Sequence, residues 1–320
     1  MKATCRGILL LVATAAAAWA APAAAFDLPL AYEAMWRTKP CACGTERVNA
    51  WNCTPCTAMP FAPPAPGSTF AFRNTSGLNA QFYVNYVPAD DAVWLAFRGT
   101  EGLAEWIENA DFALVPYAWC ADGNATGCAV HAGFLTVYQT INATVFAHTA
   151  ALLATYPTAK LRVAGHSLGA ALATHAAVQL ATAMATGRLP WRSTRLVSLH
   201  TIGSPRVGNP AFVRWAAGVL GRAGAASVRM THNADIVPKL PLLEMGYLHL
   251  PHEVWFPHGH EETEPLFNAS SPLVAHVTCE DSAEAEDWTR CSNTIPVQHA
   301  VLKDHTYLMG EHLSCNNGQS

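Results

Sequence analysis

Ser167 stands in the stretch VAGHSLGA, with Gly165 and Gly169 two residues away on either side. A serine hydroxyl is a weak nucleophile near neutral pH, and one device that makes it usable is a sharp strand-to-helix turn. There flanking glycines remove the Cβ atoms that would block a close backbone approach. Such a serine needs a base, and the base needs an acid to orient it. Where the turn sits on an open α/β sheet, the acid and then the base follow the nucleophile along the chain. The search is thereby confined to residues after Ser167. Asp235, in THNADIVPKLP, is the candidate acid, and His305, in KDHTYLMG, is the candidate base. A developing oxyanion needs donors as well: the backbone N–H of Leu168, and Thr100 in AFRGTEG, which offers both N–H and hydroxyl. Residues of these types in this order would perform acyl transfer.

The elements around these residues have to hold them in place. Before Ser167, AKLRVAG alternates Leu161 and Val163 with more polar positions, as a short strand does, and Gly165 ends it. After it, LGAALATHAAVQLATAMATG has no proline and is dominated by helix formers up to Gly187, a C-terminal cap. A second strand, with Val93, Leu95 and Phe97 alternating, turns at Gly99 and Thr100. A third, marked by Val228 and Met230, breaks at Asn233 and leaves Asp235 in the loop past its end, where open α/β sheets build their sites. Asp281, Asp287 and Asp304 compete for the acid: the first two fall in an acidic stretch that reads as solvated, and Asp304 directly precedes His305, where neighbouring side chains on an extended segment point apart. His299 and His312 are the other late histidines. His166 is expected to face away from the Ser167 side chain and to be packed.

The chain has 320 residues and a formal net charge of −4, with no basic cluster, which excludes a nucleic-acid or anionic-surface partner as the expected reading. Residues 1–25 combine Lys2 and Arg6, the apolar run ILLLVATAAAAWA and small residues ending in Ala23 and Ala25, as a secretory leader does. Residues 26–320 then form one large α/β domain, and no transmembrane span follows the leader. In an exported chain, cysteines read first as disulfides. Close spacing pairs Cys53 with Cys56, Cys120 with Cys128, and Cys279 with Cys291, and leaves Cys41, Cys43 and Cys315. Cys53 and Cys56 could be half of a zinc site, but no second half follows at suitable spacing. Neither a metal nor a cofactor is expected. Sequons at Asn52, Asn74, Asn124, Asn142 and Asn268 fit a glycoprotein.

AFRGTEG, VHAGFL, VAGHSLGA, TIGSPRVGNPAF, THNADIVPKLP and DHTYLMG occur in one order, and the series resembles the fungal-type, or class 3, lipase family of α/β-hydrolases. The resemblance runs from about Cys41 to Cys315. It implies an α/β-hydrolase fold with a mostly parallel central sheet flanked by helices, and a secreted triacylglycerol lipase that meets its substrate at a lipid–water interface. It places the nucleophile on Ser167, the acid on Asp235, the base on His305 and the oxyanion side-chain donor on Thr100. It also implies disulfides Cys53–Cys56 and Cys279–Cys291, and a bond from Cys315 to Cys41 or Cys43. In such lipases a short amphipathic helix after the oxyanion loop acts as a lid, and GLAEWIENADF puts Leu103, Trp106 and Ile107 at helical spacing. The insert from Cys120 to Cys128, together with Thr at position 100, is similar to feruloyl esterases, so a soluble-ester hydrolase is the alternative. A non-catalytic lipid-binding glycoprotein on the same scaffold is a further one.

Overall fold

A computed structural model of the chain describes residues 26–75, 79–100, 102, 104, 111–122, 127–258, 275–279, 282, 285–286 and 289–316. The leader, the stripe Leu103, Trp106 and Ile107, the sequons at Asn124 and Asn268, and the carboxylates Asp281 and Asp287 lie outside the described residues.

One eight-stranded sheet carries the fold. Its strands are β1 (Phe70–Arg73), β2 (Gln81–Val87), β3 (Ala92–Phe97), β4 (Lys160–His166), β5 (Leu196–Ile202), β6 (Ala226–His232), β7 (Glu253–Phe256) and β8 (Val277–Cys279), and they lie side by side in chain order. Pairings β3–β4, β4–β5, β5–β6 and β6–β7 are parallel, while β1–β2, β2–β3 and β7–β8 at the edges are antiparallel. Parallel neighbours need crossover connections, and these supply helices that cover the faces of the sheet.

Every residue of β3 is buried. This exceeds the half-buried alternation expected from Val93, Leu95 and Phe97, because helices pack on both sides. Val93, Leu95 and Phe97 enter the larger core with helices α2 (Ala132–Gln139), α3 (Asn142–Thr155), α4 (Leu168–Ala185) and α5 (Pro210–Ala223). Trp94 instead packs with Ala164 and Ala34 of α1 (Leu28–Thr38) on the opposite face. Local chemistry fixes the helix ends. Asp27 accepts from the Leu30 N–H at 3.0 Å to start α1, and Asn209 accepts from the Phe212 N–H at 2.9 Å to start α5, which ends on Gly224 at φ 72°. The helix α4 stops one residue before Thr186, and Gly187 follows at φ 74°, as expected of a C-terminal glycine.

By length and composition α4 is apolar enough to cross a membrane, yet 94% of it is buried inside the fold. It is the central helix of the larger core, which accounts for a surface with so little polarity. The close cysteine pairs form as expected, and Cys315 bonds Cys43, leaving Cys41 as a buried free thiol.

Candidate active site

The parallel strands β3, β4 and β6 end on one edge of the sheet, and the segment after each carries one of the residues singled out in the sequence. Ser167 follows β4 at φ 60° and ψ −130°, a conformation that non-glycine residues rarely adopt, and α4 starts at the next residue. Its N–H donates to Ile202 O on β5 at 2.9 Å. The flanking glycines explain themselves through distance. A Cβ on Gly165 would lie 2.1 Å from Gly169 O, and one on Gly169 would lie 2.4 Å from Phe97 O at the end of β3. Helix and strand therefore approach closely enough to place Thr100, three residues beyond Phe97, beside Ser167 at the same cavity.

Past the end of β6, the Asp235 N–H donates to His232 O at 2.9 Å, and its Oδ1 accepts from the Val237 N–H at 2.9 Å. Its other oxygen, Oδ2, lies 2.7 Å from His305 Nδ1, and both side chains are buried. That contact fixes the tautomer with the proton on Nδ1, so Nε2 is left as an acceptor. Here three buried polar atoms stand out: Ser167 Oγ, His305 Nε2 and Thr100 Oγ1 have no hydrogen-bond partner among the described residues. Buried polar atoms without partners occur elsewhere in this interior too, Trp94 Nε1 and Tyr138 Oη among them, so it is convergence on one place that sets these three apart. These three lie around one cavity of about 480 Å³, whose other described walls include Thr38, Ala42, Leu302, Thr306 and Leu313. Leu168, first residue of α4, has no intrahelical acceptor for its N–H, and the helix dipole adds positive potential there. The arrangement can pass a proton from Ser167 to His305, hold the imidazolium against Asp235, and present donors to negative charge.

His299 and His312 are exposed and line no part of this cavity. Asp304 sits with His305 in a 3₁₀ turn, Lys303–Thr306, rather than on an extended segment. The two side chains still part company: Asp304 Oδ2 accepts from Asn233 Nδ2 at 2.9 Å and from the Ala234 N–H at 3.2 Å, so it holds the loop that carries Asp235. His166 lines the same cavity as Ser167, and it has more than a packing role. Its Nε2–H donates to His305 O at 2.8 Å, and the two rings lie 4.5 Å apart. Burial, and repulsion from His305, push the His166 ring down to about 3, so it stays neutral.

Two further supports were not singled out in the sequence. Beyond Asp235, Arg206 Nη1 donates to Lys239 O at 2.6 Å and to Pro241 O at 3.0 Å while its other nitrogens pair with Glu286, and Lys239 Nζ donates to Ser292 O. On the far side, Lys39 Nζ meets Glu311 Oε2 at 2.7 Å and lies 3.9 Å from the Trp36 ring centroid, which ties α1 to the ribbon following His305. The cysteines hinted at this second contact, since a bond from Cys315 to the Cys41–Cys43 segment brings the same two regions together.

Residues 94–245 match the family model described as Lipase (class 3). The chain is 30% identical over 268 residues to a lipase of Rhizopus niveus, covering 83% of this chain and 59% of the relative. It is 32% identical over 193 residues to secreted mono- and diacylglycerol lipase A of Penicillium cyclopium, covering 60% and 57%. The chain thus spans less than two thirds of the length of these curated relatives. Among solved structures, the lipase from Rhizopus microsporus var. chinensis superposes with a TM-score of 0.72 at 27% identity, over 92% of this chain and 91% of that one. A triacylglycerol lipase whose catalytic centre is formed by a serine protease triad superposes with a TM-score of 0.70 at 26% identity, over 91% and 97%.

Proposed function

Because the chain belongs to the fungal-type class 3 lipase family, we propose that it is a secreted serine ester hydrolase that cleaves acylglycerols at a lipid–water interface. The observation that carries this reading is the meeting, at one cavity, of three buried polar atoms without partners, with Asp235 bonded behind His305. Ser167 Oγ attacks the ester carbonyl carbon while His305 Nε2 takes its proton. Leu168 N–H and Thr100 donate to the oxyanion, and Asp235 holds the imidazolium. The alcohol leaves with the proton from His305, and water, activated by the same ring, releases the acid from Ser167. The leader-like residues 1–25, the four disulfides and relatives named as secreted support export.

The test is a hydrolysis panel on one purified sample: a triacylglycerol emulsion, a diacylglycerol, a phosphatidylcholine and methyl ferulate. Acylglycerol hydrolysis is expected, and Ser167→Ala should lower its turnover by about 10⁵-fold or more with the fold intact. Cleavage of methyl ferulate without cleavage of acylglycerols would move the assignment to a soluble-ester hydrolase. A folded, correctly bridged protein that hydrolyses none of them would move it to a lipid binder.

A further inference from the structure

Lys39 is buried, an unusual place for an ammonium group. Its side chain is 0% exposed and runs from the 3₁₀ turn Lys39–Ala42 to Glu311 Oε2 at 2.7 Å, while Tyr32 OH donates to the other carboxylate oxygen at 3.3 Å. Glu311 belongs to the ribbon in which Tyr307–Leu308 pairs with Glu311–His312. Two charges withdrawn from water recover little net stability from each other, so a buried pair is better explained by what it holds in place than by what it adds to the fold.

What it holds is a seam. Thr38 and Ala42, on either side of Lys39 in the chain, line the cavity of Ser167, and so do Thr306 and Leu313, on either side of Glu311. Lys39 and Glu311 are not lining residues themselves, so they join the two walls from behind. Four positions further along each segment, Cys43 is bonded to Cys315. The seam is thus fastened twice, by a covalent bond at one end and by an ion pair at the other. His305 does not depend on this pair, because Asp235 Oδ2 holds its ring at 2.7 Å and the His166 Nε2–H holds its carbonyl at 2.8 Å. We propose that Lys39 and Glu311 are a specificity-determining pair: they keep the segment of Thr38 and Ala42 at a set distance from that of Thr306 and Leu313, and so limit the bulk of the ester substituent that lies along the seam. Both are positioning residues, acting through the side chains that line the cavity. The inference rests on the reading of that cavity as an ester-hydrolysing site. A firm apolar pocket separates substrates that differ by one methylene by roughly 10- to 200-fold, and a pocket whose walls can part separates them less.

Glu311→Gln alone would leave a buried charge without its partner and endanger the fold, so Lys39→Met is the variant to make. It removes the charge, fills similar space, and leaves Glu311, 18% exposed, in reach of water. Parent and variant are compared on two series of dissolved esters, one graded in the bulk of the acyl group and one in the bulk of the alcohol. In the series whose varied group lies along the seam, the kcat/KM ratio of bulkiest to smallest ester should rise roughly 5- to 20-fold in Lys39→Met, and the change should fall on KM of the bulky ester rather than on kcat of the smallest. Adding Glu311→Gln to Lys39→Met should change nothing further, since the pair is already gone. Amide exchange at Leu313, whose N–H donates to Thr306 O at 2.9 Å, should quicken in the variant. Parental ratios in both series would overturn the pair's role in specificity. So would an equal loss of kcat on every ester, since that assigns the pair to holding His305. A parent protein that cleaves none of the esters would overturn the reading of the site instead, and Leu313 exchange would still show whether the pair holds the seam.

Discussion

His166 sits next to the proposed nucleophile in sequence and acts on the proposed base in space. Its Nε2–H is spent on His305 O at 2.8 Å, and its ring is held neutral beside a ring that must become positive during turnover. A charged His166 would oppose that step, so its burial and the work of His305 fit together. Replacing it by Phe keeps a buried ring but removes the donor, leaving the His305 backbone less firmly placed. The expected outcome is a fall in kcat of roughly 10- to 100-fold with KM little changed, and recovery of most of it in His166→Gln, whose amide reaches a similar point. Phe and Gln variants with equal kcat would show that only the packing of the ring matters. At this scale, the sequence is informative where the requirement is local. The glycines around Ser167, and the order of serine, aspartate and histidine, were enough to single out Ser167 and His305, which the fold brings to one cavity, and Asp235, which is bonded behind His305. Asp304 could not be read in this way. Its separation from His305 follows from a 3₁₀ turn and from partners about 70 residues away, and neither leaves a pattern in KDHTYLMG.

The contact between α4 and β3 is the element-level counterpart of the same site. A Cβ on Gly169 would stand 2.4 Å from Phe97 O and 2.6 Å from Arg98 O, and both are backbone atoms that cannot swing aside. Gly169→Ala must therefore drive the helix and the strand end apart, carrying Thr100 away from Ser167. The cost expected from overpacking is about 1–3 kcal/mol, visible as a lower urea midpoint. The loss in kcat/KM should exceed what stability explains, at roughly 10²-fold, because displacing one oxyanion donor has that effect on its own. A variant with parental midpoint and parental kcat/KM would mean that the spacing is compliant. Strand, turn and helix were legible around Ser167 because hydrophobic period and glycine position are written in consecutive residues. The complete burial of β3 was not, since it depends on α1, a helix well upstream in the chain that packs against Trp94.

Across the molecule, several histidines are sealed in the interior without charge. Burial lowers His131 and His200 to about 4 and His175 to about 3, and with His166 they resist protonation until well below the ordinary value of 6.5. In the unfolded chain the same rings take up protons near 6.5. Between about 6.5 and about 4 the unfolded state therefore binds more protons, and stability falls as pH falls; above 6.5 these groups contribute no pH dependence. Each unit by which burial lowers such a ring destabilises the fold by about 1.4 kcal/mol once the pH is below both values. Urea midpoints measured from pH 7 to pH 4.5 should decline steadily, and a flat profile would show that the buried rings accept protons within the fold. The Cys43–Cys315 bond acts on the molecule as a whole in another way. With a sequence separation of 272 and the two Cα atoms 5.0 Å apart, it makes nearly all of the described chain a covalent ring. A protease that cuts a surface loop inside that ring opens it without releasing a fragment. Nicked protein would keep its full mass and divide in two only after reduction, so a single backbone cut in an oxidising medium leaves the particle whole.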